Sequence, residues 1–261
     1  MKNLFKSNAT FKSVTSGKIA RRNFISFASF LGLNTIGYLL WRRLYRAPAE
    51  TPGITAGARK PLRKALDQTE LAFRNTFSPE HLVKTYPKEM AAQNVRVNSN
   101  IGMEDAIDMD NWHLTVNKTN GSMLTIPLSD IRALPKTEIV YDFKCVEGWD
   151  QISHWGGVKF RDFIAHYGLE AEAKMHYVGM ATPDEKYYVG IDMPSALHPQ
   201  TLLAYEVNGR PLPPEHGQPL RLIIPVKYGI KNLKRIGSIS FSMQRTPDYW
   251  AERGYDYYSG L

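Results

Sequence analysis

Apolar and polar positions divide this 261-residue chain into two unlike parts. Residues 24–41 form one uncharged run of 18 residues, about 27 Å long as a helix and close to the minimum for crossing a bilayer. The run is only moderately apolar, because serine, asparagine, threonine and glycine interrupt it. From about residue 94 onward, shorter alternating segments take over. The pattern predicts an N-terminal apolar helix followed by a domain of short strands.

One amphipathic helix is predicted before the strands begin. Pro61 suits the first position of a helix. Leu62, Leu66 and Phe73 are spaced to form an apolar stripe that continues to about residue 75. Pro79 would end the helix.

Tight turns between alternating segments predict hairpins. Residues 112–116 alternate between apolar and polar, and the Asn-Gly pair at 120–121 separates them from the apolar run 123–126. A second Asn-Gly pair, at 208–209, follows the run 202–207. Asn-Gly is a strong signal for a two-residue hairpin turn.

The remaining elements favour an α+β fold. Apolar positions at roughly helical spacing predict a helix over about 158–167 that ends at Gly168, and residues 220–226 read as a buried strand. Strands interrupted by single helices lack the βα regularity of a doubly wound sheet. We therefore expect mixed, short-stranded sheets with a few helices.

The single cysteine lies at the end of a predicted strand. Alternate positions from Ile139 to Cys145 are apolar or aromatic, whereas Asp142 and Lys144 fall on the opposite face. This spacing turns Cys145 inward, beside Gly148. A lone cysteine in such a place is most often a small buried hydrophobic residue, and a thiolate role would require a cation or metal nearby.

The net charge of +8 is unevenly distributed. Residues 1–64 carry 13 Lys and Arg against one acid, a net charge of +12, whereas residues 65–261 carry 20 against 24, a net charge of −4. A nucleic-acid-binding domain would need its basic stripe on the fold itself, so we expect no nucleic-acid partner. One cysteine also excludes an intramolecular disulfide.

The N-terminal segment resembles an export signal. Arg21 and Arg22 precede Phe24 and the moderately apolar run, which is similar to a bacterial twin-arginine signal, although an ordinary anchor with a basic flank remains the alternative. Ala-Pro-Ala at 47–49 has the form of a cleavage site, but the basic and aromatic stretch 41–46 is more typical of a membrane interface. We expect a signal or retained anchor over 1–43, a linker over 44–61 and one domain over 62–261, exported folded to the periplasmic side.

A basic cluster is the second candidate for chemistry, since the common nucleotide, hydrolase and zinc motifs are absent from the sequence. Arg221, Lys227, Lys231 and Lys234 surround Gly229 in an otherwise acidic domain. Cations beside a glycine turn suit a phosphate. A solvated surface face is the alternative interpretation.

Six segments together resemble the molybdopterin-binding domain of the sulfite oxidase superfamily, and among its members the catalytic subunits of bacterial periplasmic methionine sulfoxide reductases. The resemblance covers about residues 94–261 and includes F-K-C-V-E-G-W around Cys145. The matching stretches are 143–149, 155–164, 196–205, 208–222, 225–234 and the G-Y-D-Y-Y at 254–258.

The resemblance implies a sulfite-oxidase-type fold, a molybdenum–molybdopterin cofactor, and roles for particular residues. Cys145 would be the catalytic thiolate ligand of molybdenum. The residues implied to bind the rest of the cofactor are Arg221 and Lys234 at its phosphate, Asn232 and Leu233 through the backbone, and Lys231 and His198 at the pocket. His216 stands where the family has an asparagine, and Asn98 is the expected replacement for a missing N-terminal pterin-binding stretch.

The implied activity is oxo transfer that reduces S-oxides such as methionine sulfoxide in proteins or small molecules. The electron donor would be a membrane subunit that carries haem b or is linked to quinone. Two alternatives remain open: oxidation of sulfite or a related small anion, and a membrane-tethered subunit that keeps the fold without catalysis.

Overall fold

A computed structural model describes residues 16–48, 59–78 and 80–260. The chain forms two compact units, Met1–Pro48 and Ala49–Leu261. The predicted linker over 44–61 and the helix-ending Pro79 lie mostly or wholly outside the described residues.

The first unit is the helix α1, Ser16–Arg46. Its residues Gly17–Arg46 form a helix that is long and apolar enough to cross a membrane. The polar side chains within it are satisfied locally, since Asn34 and Thr35 each donate to a carbonyl one turn earlier, at Phe30 and Leu31, over 2.8 Å.

The second unit begins with α2, Lys60–Thr76, with Pro61 in its first turn as predicted. The apolar stripe is not covered by the domain in the way an amphipathic helix usually is. Leu62 and Phe73 are about half exposed, and Arg63 is the buried residue. The side chain of Leu66 lies outside the described set.

Two sheets form the body of this unit. In the first, the order is β2-β1-β10-β5-β6, with β1 and β10 parallel and the other pairs antiparallel; in the second it is β3-β4-β7-β8, with β9 also pairing with β7. The strands are β1 His113–Asn117, β2 Met123–Pro127, β3 Lys136–Lys144, β4 Asp150–Lys159, β5 Tyr177–Ala181, β6 Tyr188–Asp192, β7 Leu202–Val207, β8 Arg210–Pro211, β9 Arg221–Ile223 and β10 Ser238–Ser242.

Short helices connect the strands. The α-helices are α3 Leu128–Ala133, α4 Phe160–His166 and α5 Met193–Ala196, and the 3-10 helices are Lys88–Met90, Glu172–Lys174, Pro214–His216, Gly229–Lys231 and Ala251–Arg253. The α+β prediction is confirmed, as are both Asn-Gly hairpins, which join β1 to β2 and β7 to β8.

The predicted helix over 158–167 is wrong at its start. Residue 158 belongs to β4, and the helix runs only from Phe160 to His166. Val158, Phe163 and Ile164 all enter one hydrophobic core, so their spacing imitated a single helical face. The predicted strand over 220–226 is buried throughout, but only Arg221–Ile223 pairs as β9.

Strand β7 separates two hydrophobic cores. Leu203 and Tyr205 contribute to the large core, which also contains residues of the first sheet, whereas Leu202 and Ala204 contribute to the smaller one. The neighbouring β4 fits closely because of Gly157, where a Cβ atom would lie 2.1 Å from the carbonyl oxygen of Leu203. This packing fixes the ends of β3, β4 and β9, which carry the site.

Candidate active site

A single cavity of about 290 Å³ contains the cysteine and much of the basic cluster. Its walls come from the segment 95–101, the end of β3 with its following loop, β4, the start of β9, the turn 229–234 and the C-terminal segment, together with Tyr187. Of the residues predicted for the site, the cavity brings together Cys145, Arg221, Asn232, Lys234 and Asn98.

Cys145 follows β3 directly and is held by a tight turn. Its amide donates to the carbonyl of Trp149 (2.9 Å), and Gly148 donates to the carbonyl of Cys145 (3.1 Å). Gly148 has φ +87°, a conformation that favours glycine. Cys145 is a free, buried thiol, 7% exposed, with its side chain in the cavity wall.

No protein-only metal site accompanies this thiol. Among the described residues, His, Cys, Asp and Glu form no group of three that could hold a metal ion. A metal bound by Cys145 in this part of the chain would therefore need most of its remaining ligands from a cofactor.

Arg221 is a buried cation at the start of β9. Its guanidinium donates to the carbonyls of His216 (3.1 Å) and Asn232 (3.4 Å) and lies over the ring of Trp155, 4.3 Å from the centroid. Its Nε has no hydrogen-bond partner. Burial lowers the pKa of Arg221 to about 10.

Lys234 holds the segment 94–101 against the cavity. Its Nζ donates to three main-chain carbonyls, those of Asn98 (2.8 Å), Ser99 (3.0 Å) and Glu215 (3.1 Å). Burial, followed by repulsion from Arg221, lowers the pKa of Lys234 to about 7. The depressed value shows that the local environment opposes a second positive charge.

The surroundings of Arg221 and Lys234 suit an anionic ligand. Within the described ranges, neither Arg221 nor Lys234 has a carboxylate ion-pair partner. A buried charge is usually paired, and an unpaired guanidinium Nε is costly. A phosphate would supply an acceptor for the Nε of Arg221 and negative charge for both cations, so the residues present fit the phosphate-bearing group that the sequence resemblance implies.

The segment 94–101 carries further polar contacts. The backbone amide of Arg96 donates to the side-chain oxygen of Gln151 (2.8 Å), and the Asn98 side-chain amide donates to Glu147 (3.2 Å). Asn98 therefore reaches the cavity, as expected, while its carbonyl is bound by Lys234.

Asn232 and Leu233 were predicted to bind the cofactor through the backbone, but their backbone amides are engaged within the turn. The Asn232 side-chain oxygen accepts from the amide of Ile224 (2.8 Å), so this side chain braces the turn. The amides of Asn232 and Leu233 donate within the turn, to the carbonyls of Gly229 and Lys231. The Leu233 side chain belongs to the large core.

Two more predicted side chains, those of Lys231 and His198, lie in the core instead of the cavity. Lys231 is fully buried, donates to the carbonyl of Gly190 (2.9 Å) and pairs with Asp248. His198 is also fully buried, with its Nε2 3.2 Å from the carbonyl of His81. Both correct the expectation from resemblance, because each side chain is engaged elsewhere in the core.

His216 lies behind the cavity wall. Its ring contacts Trp155 edge to face, with centroids 6.0 Å apart, and it lines a neighbouring cavity of about 720 Å³. Burial and the nearby Arg221 and Lys234 lower its pKa to about 4. Neutral imidazole is therefore the form expected near neutral pH.

Sequence reasoning missed the aromatic part of the cavity. Trp149, Trp155, Tyr187, Trp250 and Tyr255 all line it. Trp149 and Trp155 are inside the matching stretches, but nothing in the pattern indicated that they face the cysteine. Arg96 was also missed, and its guanidinium stacks on Trp149 at 4.6 Å.

Comparison with known proteins identifies a family and several relatives. Residues 100–250 match the family described as the oxidoreductase molybdopterin binding domain. A putative protein-methionine-sulfoxide reductase subunit, YedZ1 of Azospira oryzae, is 34% identical over 186 residues, which cover 70% of each chain. The protein-methionine-sulfoxide reductase catalytic subunit MsrP of Campylobacter jejuni is 30% identical over 180 residues, which cover 62% of this chain and 60% of the relative.

One solved structure with a similar fold is the sulfane dehydrogenase SoxCD from Paracoccus pantotrophus. Its TM-score is 0.49 at 18% identity, over 65% of this chain and 47% of that chain.

Proposed function

This chain belongs to the oxidoreductase molybdopterin-binding family, and we propose that within it the protein reduces S-oxides such as methionine sulfoxide. The observation that carries the proposal is the shared cavity, where a buried thiol lies with two cations that form no carboxylate ion pair within the described residues. The relatives named as methionine sulfoxide reductase subunits support the choice of substrate.

A molybdenum–molybdopterin cofactor would be held by residues of this cavity. The thiolate of Cys145 would bind the metal, a soft ligand suited to a redox metal. Arg221 and Lys234 would bind the phosphate, and Asn98 would contact the pterin. When bound, the cofactor supplies the oxo-transfer chemistry, while the protein supplies orientation and electrostatics.

The protein's own groups prepare the site for an anion. A phosphate beside Lys234 would favour the charged ammonium and raise its pKa from about 7. The aromatic walls Trp149, Trp155 and Trp250 limit water around the thiol. Asn232 holds the turn beneath Arg221 through Ile224.

The test is reduction of S-oxides by purified, molybdenum-loaded protein with an artificial electron donor. Wild type is expected to reduce peptide methionine sulfoxide, and Cys145→Ser is expected to lose that activity. Loaded wild-type protein with no activity on any sulfoxide would show that the substrate proposal is wrong.

Oxidation of sulfite is the second candidate, and one observation favours it. Arg96 and Arg221, far apart in sequence, both line the cavity and could attract a small anion. Arg221 is committed to two carbonyls and the Trp155 ring, so Arg96 is the freer cation. Sulfite-dependent reduction of an electron acceptor, abolished by Arg96→Gln, would favour this direction instead.

We also propose that the protein is exported folded and remains on the periplasmic face, held by α1. Support comes from the length and apolar character of this helix and from the Arg21–Arg22 pair within it. Electrons would come from a membrane subunit with haem b or a quinone link, and the naming of both relatives as subunits agrees with such a partner. Arg21→Lys with Arg22→Lys should leave the protein in the cytoplasm; unchanged export would reject the twin-arginine route.

A further inference from the structure

Three of the large apolar side chains that stay about half exposed in the second unit lie in or close to α2. Leu62, Phe73 and Leu82 are 48%, 54% and 55% exposed. Leu62 and Phe73 are eleven positions apart in α2, three turns plus about 20°, so they lie on one stripe of the helix. Phe73 and Leu82 line a groove of about 380 Å³ together with Phe77 and Tyr258. We call Leu62, Phe73, Leu82 and this groove the apolar patch.

Beside this stripe, α2 is tied to the domain. Arg63 is 6% exposed and donates to the carbonyls of Ala251 (3.0 Å) and Tyr255 (3.4 Å). The Phe73 ring stacks on Tyr258, with centroids 5.7 Å apart. Arg63 and one face of the Phe73 ring therefore hold α2 on the domain, while Leu62 and the rest of Phe73 stay open to solvent.

Exposed basic side chains cluster at the start of α2, where Lys60 and Lys64, each two positions from Leu62, lie on the other face of the helix. Arg59, Lys60 and Lys64 lie in or next to the first turn of α2, and all are exposed. They contrast with the net charge of −4 carried by residues 65–261. Apolar side chains beside lysine and arginine are the composition of helices that lie at the surface of an anionic membrane.

A short stretch of sequence joins α1 to α2. The C-terminal end of α1 carries Trp41 and Tyr45, stacked at 5.4 Å, and closes with Arg46. Aromatic and basic side chains of this kind belong at a membrane–water interface. Only residues 47–59 separate the end of α1 from Lys60, and a segment of this length spans at most about 45 Å even when extended.

We propose that the apolar patch docks on the anionic lipid surface, with Leu62, Phe73 and Leu82 inserted at the boundary of headgroups and acyl chains. This inference rests on the proposed role of α1 as a retained anchor. Since Arg63 ties α2 to the segment whose Tyr255 lines the cavity, docking would hold that cavity wall beside the membrane.

The test uses the full chain in vesicles of mixed phosphatidylcholine and phosphatidylglycerol. Phe73→Cys and Leu82→Cys each carry an environment-sensitive fluorophore, and Met123→Cys, 60% exposed on β2, is the matched control. Wild type, whose only cysteine is the buried Cys145, gives the labelling background. A nitroxide-labelled lipid should quench the fluorophores at 73 and 82 several-fold more than the one at 123.

The outcomes separate this inference from the anchor. Lys60→Glu with Lys64→Glu should reduce quenching at 73 in the mixed vesicles. If the protein floats with the vesicles but 73 and 82 are quenched no more than 123, the docking inference is wrong and the anchor stands. Protein that fails to float would overturn both. If the fluorophores at 73 and 82 change their emission only when a membrane partner protein is added, the patch binds that protein, and the lipid docking is overturned.

Discussion

Arg221→Met tests whether the buried guanidinium serves a ligand or the fold. In the cofactor-free protein, burial lowers its pKa from 12.5 to about 10, which corresponds to about 3 kcal/mol of unfavourable charge burial. The substitution removes that cost but also loses the hydrogen bonds to His216 and Asn232 and the contact with Trp155, together about 4 kcal/mol. The free energy of unfolding should therefore change by no more than about 1 kcal/mol.

The cofactor-loaded protein should respond differently. A charge-assisted hydrogen bond from Arg221 to a phosphate contributes about 2 kcal/mol. Its loss corresponds to roughly 30-fold weaker retention of the cofactor. The substitution is thus expected to separate cofactor affinity from the stability of the fold.

The assay combines chemical denaturation with metal analysis. Protein from cells grown with and without molybdate gives the loaded and cofactor-free forms, and molybdenum per chain is measured after extended dialysis. Lys231→Met is the matched control, because it breaks the buried pair with Asp248. That change should cost about 3–5 kcal/mol of stability in both forms.

A structural role for Arg221 would give the reverse pattern. Cofactor-free Arg221→Met would then lose several kcal/mol of stability, while its molybdenum content matched wild type. That result would refute the phosphate argument, because the guanidinium would be serving only the carbonyls it contacts.

Three further predictions concern the cavity and its surroundings. Cys145→Ser should lose sulfoxide reduction and change the molybdenum spectroscopic signature; an unchanged signature in a loaded variant would remove Cys145 as the metal ligand. Since the pKa of Lys234 falls from 10.5 unfolded to about 7 folded, the unfolded state binds more protons between these values, so cofactor-free wild type should gain stability relative to Lys234→Met as pH rises from 7 to 10. Equal pH profiles would show that Lys234 is not buried as a charge. The same variant should speed amide hydrogen exchange in residues 94–101, where two carbonyls lose their donor. Unchanged exchange there would show that Lys234 does not hold the segment.

Local sequence patterns predicted the elements that are set by turn residues, by proline or by a regular spacing of apolar positions. The Asn-Gly hairpins and the helix from Pro61 were found because turn chemistry and proline position act locally. The boundary between β4 and α4 was missed because Val158 and Phe163 enter the same core from different elements. Tertiary packing overrode the periodicity there.

The candidate site was predictable only where resemblance and local chemistry agreed. The inward turn of Cys145 followed from strand alternation, and the structure places it in a cavity with Arg221 and Lys234. Lys231 belongs to the same basic cluster, yet its partner Asp248 is 17 residues away in sequence and could not be identified from spacing. Arg96 was missed because its place depends on a contact with Trp149 across the cavity.

The contacts of Lys234 have a consequence for the lifetime of a bound cofactor. An ammonium group has three N–H donors, and all three are used by the carbonyls of Asn98, Ser99 and Glu215. A phosphate can reach this group only if at least one of those bonds is released. Two of these acceptors lie in the segment 94–101 and the third is Glu215, so the residence time of the cofactor depends on how often one of these bonds opens as well as on affinity.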